Sequence, residues 1–305
     1  MSTARRQLAD GQAEAARGTL AGLAPNQQRI DEVAMLRSMA EFRSTVRTVE
    51  PMAVGSYEPR ARALVTRTLA QFTAWSSAHP DDVLVWQTLG HLHMITGDFG
   101  ASAAAFTQAT QRRPNDPTLW NDLAMTQVAA RQLADAEQSL LRATTLAPQD
   151  AEPFDNLGAV RLARGNAAGA VEALQTAVSL RPDEARFLAD LGAAQLSNGN
   201  AEEATRHLGR AVARAPLDPV VAANYGMALW AARRGPEARQ QLDAASLRFP
   251  RAVSVWANLA TVRFHLGDRA GAERALREAE ALGPGDPRLA AQRAAFEAAG
   301  PGPNR

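Results

Sequence analysis

Residues 151–184 read AEPFDNLGAVRLARGNAAGAVEALQTAVSLRPDE, and this stretch holds the pattern that decides the fold. Its proline, Pro182, is one of seven prolines spaced 34 residues apart. The series is Pro80, Pro114, Pro148, Pro182, Pro216, Pro250 and Pro284. Because proline makes up only about 5% of average sequences, chance does not explain such a register. The chain is a repeat array, which predicts a binding surface rather than a reaction centre.

Six units of 34 residues follow from the prolines. They begin at Val83, Pro117, Ala151, Ala185, Pro219 and Val253. Position four of most units is large, position seven is leucine or tyrosine, and position eight is glycine or alanine. In the quoted unit these residues are Phe154, Leu157 and Gly158. They share one face of a helix at about 3.6 residues per turn, so a large anchor lies beside a notch that a second helix can approach.

A second apolar stripe occupies positions 20, 24 and 27 of each unit. In the quoted unit it consists of Ala170, Leu174 and Ala177, a large residue between two small ones. The spacing of four and three indicates another helix. Between the two stripes stands Gly165-Asn166, a pair typical of a helix end followed by a helix N-cap. Each unit is therefore predicted to be a pair of helices.

Two units depart from this turn, with Arg131 and Arg233 in place of the glycine. In the fifth unit Gly235-Pro236 follows, so we expect its second helix to start late, at Pro236. The units are joined by the recurring proline and then an acid, as in Asp116-Pro117. An N-cap carboxylate ahead of a proline suits the first helical turn, which gives these acids a structural role.

The pattern of an aromatic residue, Leu-Gly, then Ala, a bulky residue, Ala and Pro on a 34-residue period resembles the tetratricopeptide repeat family. The resemblance covers residues 83–284. It implies an all-α fold, an α-solenoid in which helix-turn-helix repeats form a right-handed superhelix, with six clear repeats and a C-terminal capping helix. Position eleven is not the tyrosine that is usual in the family, and the neighbouring position twelve is apolar in all six units.

Three segments are predicted along the chain. Residues 1–79 read as helices near 3–23, 27–49 and 58–77, either degenerate repeats that form an N-terminal cap or a separate docking domain. Residues 80–284 hold the six tetratricopeptide repeats. Residues 285–305 hold a polar capping helix near 288–299 and a disordered tail.

Composition narrows the function classes. The net charge is +1, and all 33 basic residues are arginine, which is typical of GC-rich bacterial coding. We expect no nucleic-acid binding, because no basic stripe is visible. The absence of cysteine excludes disulfides and thiolate sites. No apolar run is long enough for a membrane span, so we expect the cytoplasm, or the periplasm if a leader has been removed.

The sequence offers no catalytic constellation. Among the five histidines, His91 and His93 are two residues apart on a predicted helix and point to different faces, so they do not form a metal site. There is no phosphate-binding glycine loop after a strand and no serine nucleophile elbow. We therefore expect no enzyme activity, no cofactor and no metal.

Position six of the first helix is polar in every unit. It reads Thr88, Asp122, Asn156, Asp190, Asn224 and Asn258. In a stacked array this position faces away from the anchor stripe, toward the concave side. The row is similar to the asparagine ladder of O-linked N-acetylglucosamine transferases, which holds a peptide by its backbone. An amide donates and accepts, whereas an ionised aspartate only accepts, so contacts between helices are an equal alternative.

Apolar residues at positions nine and twelve give candidate pockets beside this row. Position twelve is either groove lining or core between repeats, because an apolar stripe at helical spacing is most often buried. The predicted peptide-binding set is Asp122, Met125, Asn156, Asp190, Asn224, Met227, Trp230, Asn258 and Phe264.

These observations predict a non-enzymatic protein interaction scaffold or adaptor that binds a peptide or helical segment of a partner in the concave groove. One alternative is a self-assembling scaffold, a homo-oligomer in which the N-terminal helices of one copy enter the groove of another. A second is the targeting subunit of a separate enzyme such as a glycosyltransferase. The family's lysine-based clamp for acidic C-termini has no lysine here, and Arg186 at position two is the substitute that the sequence offers.

Overall fold

The computed structural model describes residues 2–9, 12–21, 37, 40 and 59–299. These residues form sixteen α-helices and no strand, which confirms the all-α prediction for the described ranges. The chain divides into two compact units, Met1–Ala147 and Pro148–Arg305. Each unit is a stack of helix pairs, as expected for an α-solenoid of helix-turn-helix repeats.

The first unit begins with three helices, α1 (Ser2–Ala9), α2 (Ala13–Ala21) and α3 (Pro59–Ala78). Its two repeats are formed by α4 (Val83–Thr96), α5 (Phe99–Arg112), α6 (Pro117–Ala129) and α7 (Leu133–Leu146). The second unit contains the other four repeats and one further helix. These are α8 (Ala151–Ala163), α9 (Ala167–Leu180), α10 (Ala185–Ser197), α11 (Ala201–Arg214), α12 (Pro219–Ala231), α13 (Gly235–Arg248), α14 (Val253–His265), α15 (Arg269–Leu282) and α16 (Pro287–Ala298).

The two helices of a repeat meet at the predicted notch. A Cβ added at Gly158 on α8 would lie 2.3 Å from Leu174 Cγ on α9, and one at Gly192 would lie 2.5 Å from Leu208 Cγ. All six bulky residues of position 24 are fully buried, as are most of the small residues on either side. Glycine at position eight therefore lets the helices approach closely enough to enclose a large side chain.

The turn inside each repeat places position fifteen in the left-handed region. Glycine occupies it in four repeats, with φ of 78° at Gly97 and 86° at Gly267, while Arg131 and Arg233 adopt 60° and 62°. The next residue then donates its backbone N–H to the carbonyl five residues earlier, as in Asn166 to Arg161 at 2.8 Å. The turn is thus conserved in geometry even where glycine is missing, and α13 begins at Gly235 in register. The expected late start at Pro236 was wrong.

Repeats are joined by two recurrent contacts. The carboxylate of Asp116 accepts a bond from Thr118 N at 3.1 Å, and other acids at the same place cap their helices in the same way. In three repeats the indole N–H of the position-four tryptophan donates to the carbonyl of the recurring proline, as Trp120 does to Pro114 at 2.8 Å. The prolines and acids therefore have the structural role that the sequence predicted.

The N-terminal region begins with two helices, not the single helix expected over residues 3–23. Gln12 lies between them and donates its N–H to Gln7 O at 2.7 Å, the same five-residue closure that each repeat turn makes. Ala4, Ala16 and Leu20 are fully buried in the core shared with the first repeat. The assignment of residues 1–79 to degenerate repeats or to a docking domain stays a prediction. Its predicted helix over residues 27–49 lies outside the described residues.

The last helix, α16, covers the end of the second unit. Arg293 stands where the repeats have leucine, and its guanidinium forms two parallel bonds with Glu280 at 2.6 and 2.5 Å. The predicted tail over residues 300–305 lies outside the described residues. No helix of the described part of the chain combines the length and apolar character required to cross a membrane.

Candidate functional site

The first helices of the second unit, α8, α10, α12 and α14, contact one another in succession. The position-seven leucines of α8, α10 and α14 are buried, whereas the anchors Phe154, Tyr225 and Trp256 are half-buried. Positions six, nine and twelve form a row at intervals of three residues along each first helix. On α12 the row is Asn224, Met227 and Trp230, and all three side chains are half-buried. Parallel rows on α10 and α14 are also half-buried, so neighbouring first helices present a continuous mixed surface of amides, acids and apolar groups.

Some side chains at position six form hydrogen bonds between successive first helices. Asn258 on α14 donates its amide to the carbonyl of Ala223 on α12 at 3.2 Å. Gln292, at the equivalent place on α16, donates to Ala257 O at 2.9 Å and to Thr261 Oγ1 at 2.8 Å. The amide therefore bonds the backbone of the preceding first helix at these two places, in keeping with the helix-contact alternative.

Thr88 of the predicted polar row is buried, and the other residues of the row are half-buried. Asn156 lies on α8 and Asn224 on α12. In the first unit, Asp122 lies on α6 with its Oδ2 3.3 Å from His91 Nε2 of α4. Met125, on the same helix, is 38% exposed.

Asp190 belongs to an acidic cluster that the sequence did not reveal. The guanidinium of Arg186 on α10 contacts the carboxylates of Asp155 and Glu152 on α8. Asp155 is 2% exposed, and burial together with the charge of Asp190 raises its pKa to about 7 against the opposing effect of Arg186. Burial also raises the pKa of Asp190. The two aspartates can thus share a proton across the repeat boundary. The guanidinium of Arg186 is occupied by its contacts with Glu152 and Asp155.

The apolar residues of the predicted set pack partly into the core between repeats. Trp230 stacks on His265 with ring centroids 5.5 Å apart. Phe264 lies parallel to Phe296 of α16 at 4.1 Å. Met227 packs against the same core cluster. Each of these residues keeps a partly exposed surface, so position twelve is neither wholly core nor wholly groove.

Two family models match the chain. The model described as the cilia and flagella-associated protein 70 C-terminal domain matches residues 4–249, and a tetratricopeptide repeat model matches residues 226–287. The chain belongs to the tetratricopeptide repeat family. Members of this family generally act as scaffolds for protein–protein interactions. No curated protein sequence matches the chain.

Solved tetratricopeptide repeat structures share the fold at low sequence identity. A tetratricopeptide repeat protein from Parabacteroides merdae is 11% identical with a TM-score of 0.61, over 84% of this chain and 98% of that one. The APC/C hetero-tetramer Cut9-Hcn1 is 16% identical with a TM-score of 0.59, over 93% of this chain and 59% of that one. YrrB, described as having an unusual peptide-binding site, is 20% identical with a TM-score of 0.50, over 63% of this chain and 99% of that one.

The described residues contain no group of histidine, cysteine, aspartate or glutamate side chains suited to a metal ion. The sequence missed the contacts that join different repeats, such as the Phe264–Phe296 stack and the Asp155–Asp190 pair. The 34-residue period shows which positions are equivalent. It does not show that position five of one unit contacts position six of the next. The sequence signal for the pair is an aspartate at position five of one unit, Asp155, followed by an aspartate at position six of the next, Asp190.

Proposed function

We propose that this chain is a non-enzymatic interaction scaffold that binds an extended or helical segment of a partner protein along the first helices of its second unit. The observation that carries the proposal is the half-buried row Asn224, Met227 and Trp230 on α12, beside the matching row on α14. Apolar side chains that keep exposed surface beside amides provide both pockets for side chains and partners for a peptide backbone.

Two further observations support this function. Tetratricopeptide repeat proteins generally bind proteins or peptides, and the similarly folded YrrB is described by its peptide-binding site. The amide of Asn258 bonds the backbone of α12, so the proposal assigns peptide contacts chiefly to Asn224 and the apolar residues, and a supporting role to Asn258.

The proposal is tested with a peptide selected from a random library on the immobilised full chain, then measured in solution by fluorescence anisotropy. Trp230→Ala and Asn224→Ala are each expected to weaken binding about tenfold, as truncation of an energetically important interface residue does. Leu247→Ala is the matched control, because Leu247 is 84% exposed on the second helix α13. Unchanged affinity in both groove variants, with intact helicity, would exclude this surface.

The alternatives stay predictions. In the structure α1 contacts its own chain, with Arg5 Nη1 2.8 Å from Asp82 Oδ2, so self-assembly through this helix would require that contact to be replaced. Light scattering of the full chain at increasing concentration tests that alternative. The role of targeting subunit for a separate enzyme, and the expected compartment, likewise stay predictions.

A further inference from the structure

A cavity of about 570 Å³ opens in the second unit between α11 and the turn that joins α12 to α13. Guanidinium and hydroxyl groups line it. The residues that matter here are Thr205, Arg206, Gly209, Arg210, Tyr225 and Arg234. None of them belongs to the predicted peptide-binding set.

Two departures from the repeat pattern meet in this cavity. Tyr225 occupies position seven, where the other five repeats have leucine. Gly209 is the only glycine among the six residues of position 25. A Cβ at Gly209 would lie 3.4 Å from Tyr225 Cε2 and 3.6 Å from its Oη. An added Cβ would make only an ordinary contact, whereas the larger side chains that the other repeats carry at position 25 would meet the tyrosine ring, and Tyr225 lines the cavity.

A third departure is Arg234. It stands at position sixteen, where four of the other repeats have aspartate or asparagine ahead of the second helix. Asp98, Asn166 and Asp268 use that place to cap their helices with a side-chain bond, whereas Arg234 makes no such bond. Its guanidinium turns to Glu237 instead, with Nε 2.8 Å from Oε1. An arginine therefore replaces a helix cap at the edge of the cavity.

The cavity lining holds more arginines than acids, and two of these arginines contact Glu203 and Glu237 outside the lining. Arg210 donates to the neutral carbonyl of Pro182 at 2.8 Å, while Arg206 contacts the exposed Glu203. Three arginines and one acid, Glu202, belong to the lining. The pKa of the neighbouring His207 is lowered first by burial and then by the charges of Arg206 and Arg210, and Glu203 Oε2 lies 3.9 Å from its Nε2.

We propose that this cavity binds a phosphate monoester. Three guanidinium groups present forked N–H donors that match the terminal oxygens of a phosphate, and such pairing is charge-assisted. A phosphate ester carries about −1.5 to −2 charges at neutral pH, enough to balance the excess of arginine. The hydroxyl of Tyr225 adds a neutral donor. Glu203 and Glu237 give way to the ligand, since exposed ion pairs of this kind contribute little.

The first test titrates the full chain with inorganic phosphate at low salt and follows the ring resonances of His207 by NMR. Saturable binding with a raised pKa of His207 is expected, because the ligand neutralises the arginines that lower it. Acetate serves as the carboxylate probe and should bind more weakly. Absence of saturable phosphate binding, or acetate binding as tightly as phosphate, would overturn the proposal.

Variants then locate the site. Arg206→Gln is expected to weaken phosphate binding about tenfold through loss of one charge-assisted bond. Arg274→Gln is the matched control, because Arg274 holds the same repeat position on α15 and is exposed. Tyr225→Leu restores the residue of the other repeats, so it is expected to fold and to bind more weakly. Glu202→Gln is expected to bind several-fold more tightly. Equal weakening by Arg206→Gln and Arg274→Gln would show unspecific attraction and refute the site.

The source of the phosphate is settled by comparing inorganic phosphate with a short phosphoserine peptide and its unphosphorylated form. Tighter binding of the phosphopeptide than of inorganic phosphate indicates a phosphorylated partner protein. Equal affinity indicates a small phosphorylated molecule. Either outcome supports the cavity as a phosphate site, and binding of the unphosphorylated peptide alone contradicts it.

Discussion

Gly90 lies where α4 approaches α5 closely in the first repeat, so substitution of Gly90 tests the close contact between the two helices of a repeat. A Cβ at this position would lie 2.6 Å from Phe106 Cε2 and 2.7 Å from two other atoms of the same ring, which is fully buried on α5. Carbon atoms prefer separations of about 3.5–4.0 Å, so in Gly90→Ala the ring or the helix must move by about 1 Å. Such a shift would also stretch the bond from Ser102 Oγ to Gly90 O, now 2.7 Å.

The expected cost follows from two opposing effects. Overpacking a core costs about 1–3 kcal/mol. Alanine in place of glycine inside a helix returns about 1 kcal/mol. Gly90→Ala should therefore destabilise the repeat by up to about 2 kcal/mol. Gly100→Ala, in the same repeat, is the control, because the nearest atom to its added Cβ is Asp98 Oδ1 at 3.8 Å, an ordinary contact. It should be neutral or slightly stabilising.

Urea unfolding followed by circular dichroism gives the overall effect. Repeats unfold in part independently, so hydrogen exchange of amides in α4 and α5 reports the local effect more directly. We expect faster exchange in Gly90→Ala and unchanged or slower exchange in Gly100→Ala. Equal protection in both variants would refute the close approach. The contrast is informative because alanine at position eight in two other repeats would suggest that the substitution is harmless.

Three further predictions concern other positions. Arg131→Gly should stabilise the first unit by about 1 kcal/mol, since the residue adopts φ of 60°; a lower melting temperature would contradict this. Folded Asp155 keeps its proton to about pH 7, whereas the unfolded carboxyl loses it near its usual pKa of 3.8. The free energy of unfolding should therefore fall as pH rises through this range. Asp155→Asn should flatten the fall in urea midpoints measured between about pH 5 and pH 8. An unaltered slope would exclude Asp155 as its source. Asn258→Ala removes the bond to Ala223 O and should lower the free energy of unfolding in urea by about 1 kcal/mol. An unchanged free energy of unfolding would show that this hydrogen bond does not stabilise the fold.

The sequence was sufficient wherever one constraint acts on every repeat. The small residue at position eight must fit the bulky residue at position 24 in every repeat, as Gly158 fits Leu174. A residue in the left-handed conformation is needed at each turn. Both features therefore recur with the period. The N-terminal region lacks that redundancy. Its first segment read as one helix because Ala4, Leu8, Ala16 and Leu20 all continue an apolar pattern, and only the closure from Gln12 to Gln7 reveals two helices.

The candidate site was predicted less completely, because its chemistry depends on pairs from different repeats. Asp190 was expected to accept bonds from a peptide, yet it lies beside Asp155 and shares its environment with Arg186. Phe264 was expected to line a groove, and α16 covers part of it through Phe296. Both outcomes follow from how one helix pair rotates on the next, which composition and period do not specify.

Six copies of one unit also act as internal controls for function. What all copies share is explained by the fold, whereas a residue that one copy alone carries requires another reason. Tyr225 and Gly209 could be explained by packing, since a larger ring beside a missing side chain conserves volume. Packing does not explain Arg234, because it fills no space in the core and replaces a residue that caps the second helix in three of the other five repeats, a bond worth about 1 kcal/mol. Its place at the same cavity is therefore the strongest indication that the three changes serve a ligand, and Arg234→Asn should separate the two effects by raising the melting temperature while weakening phosphate binding.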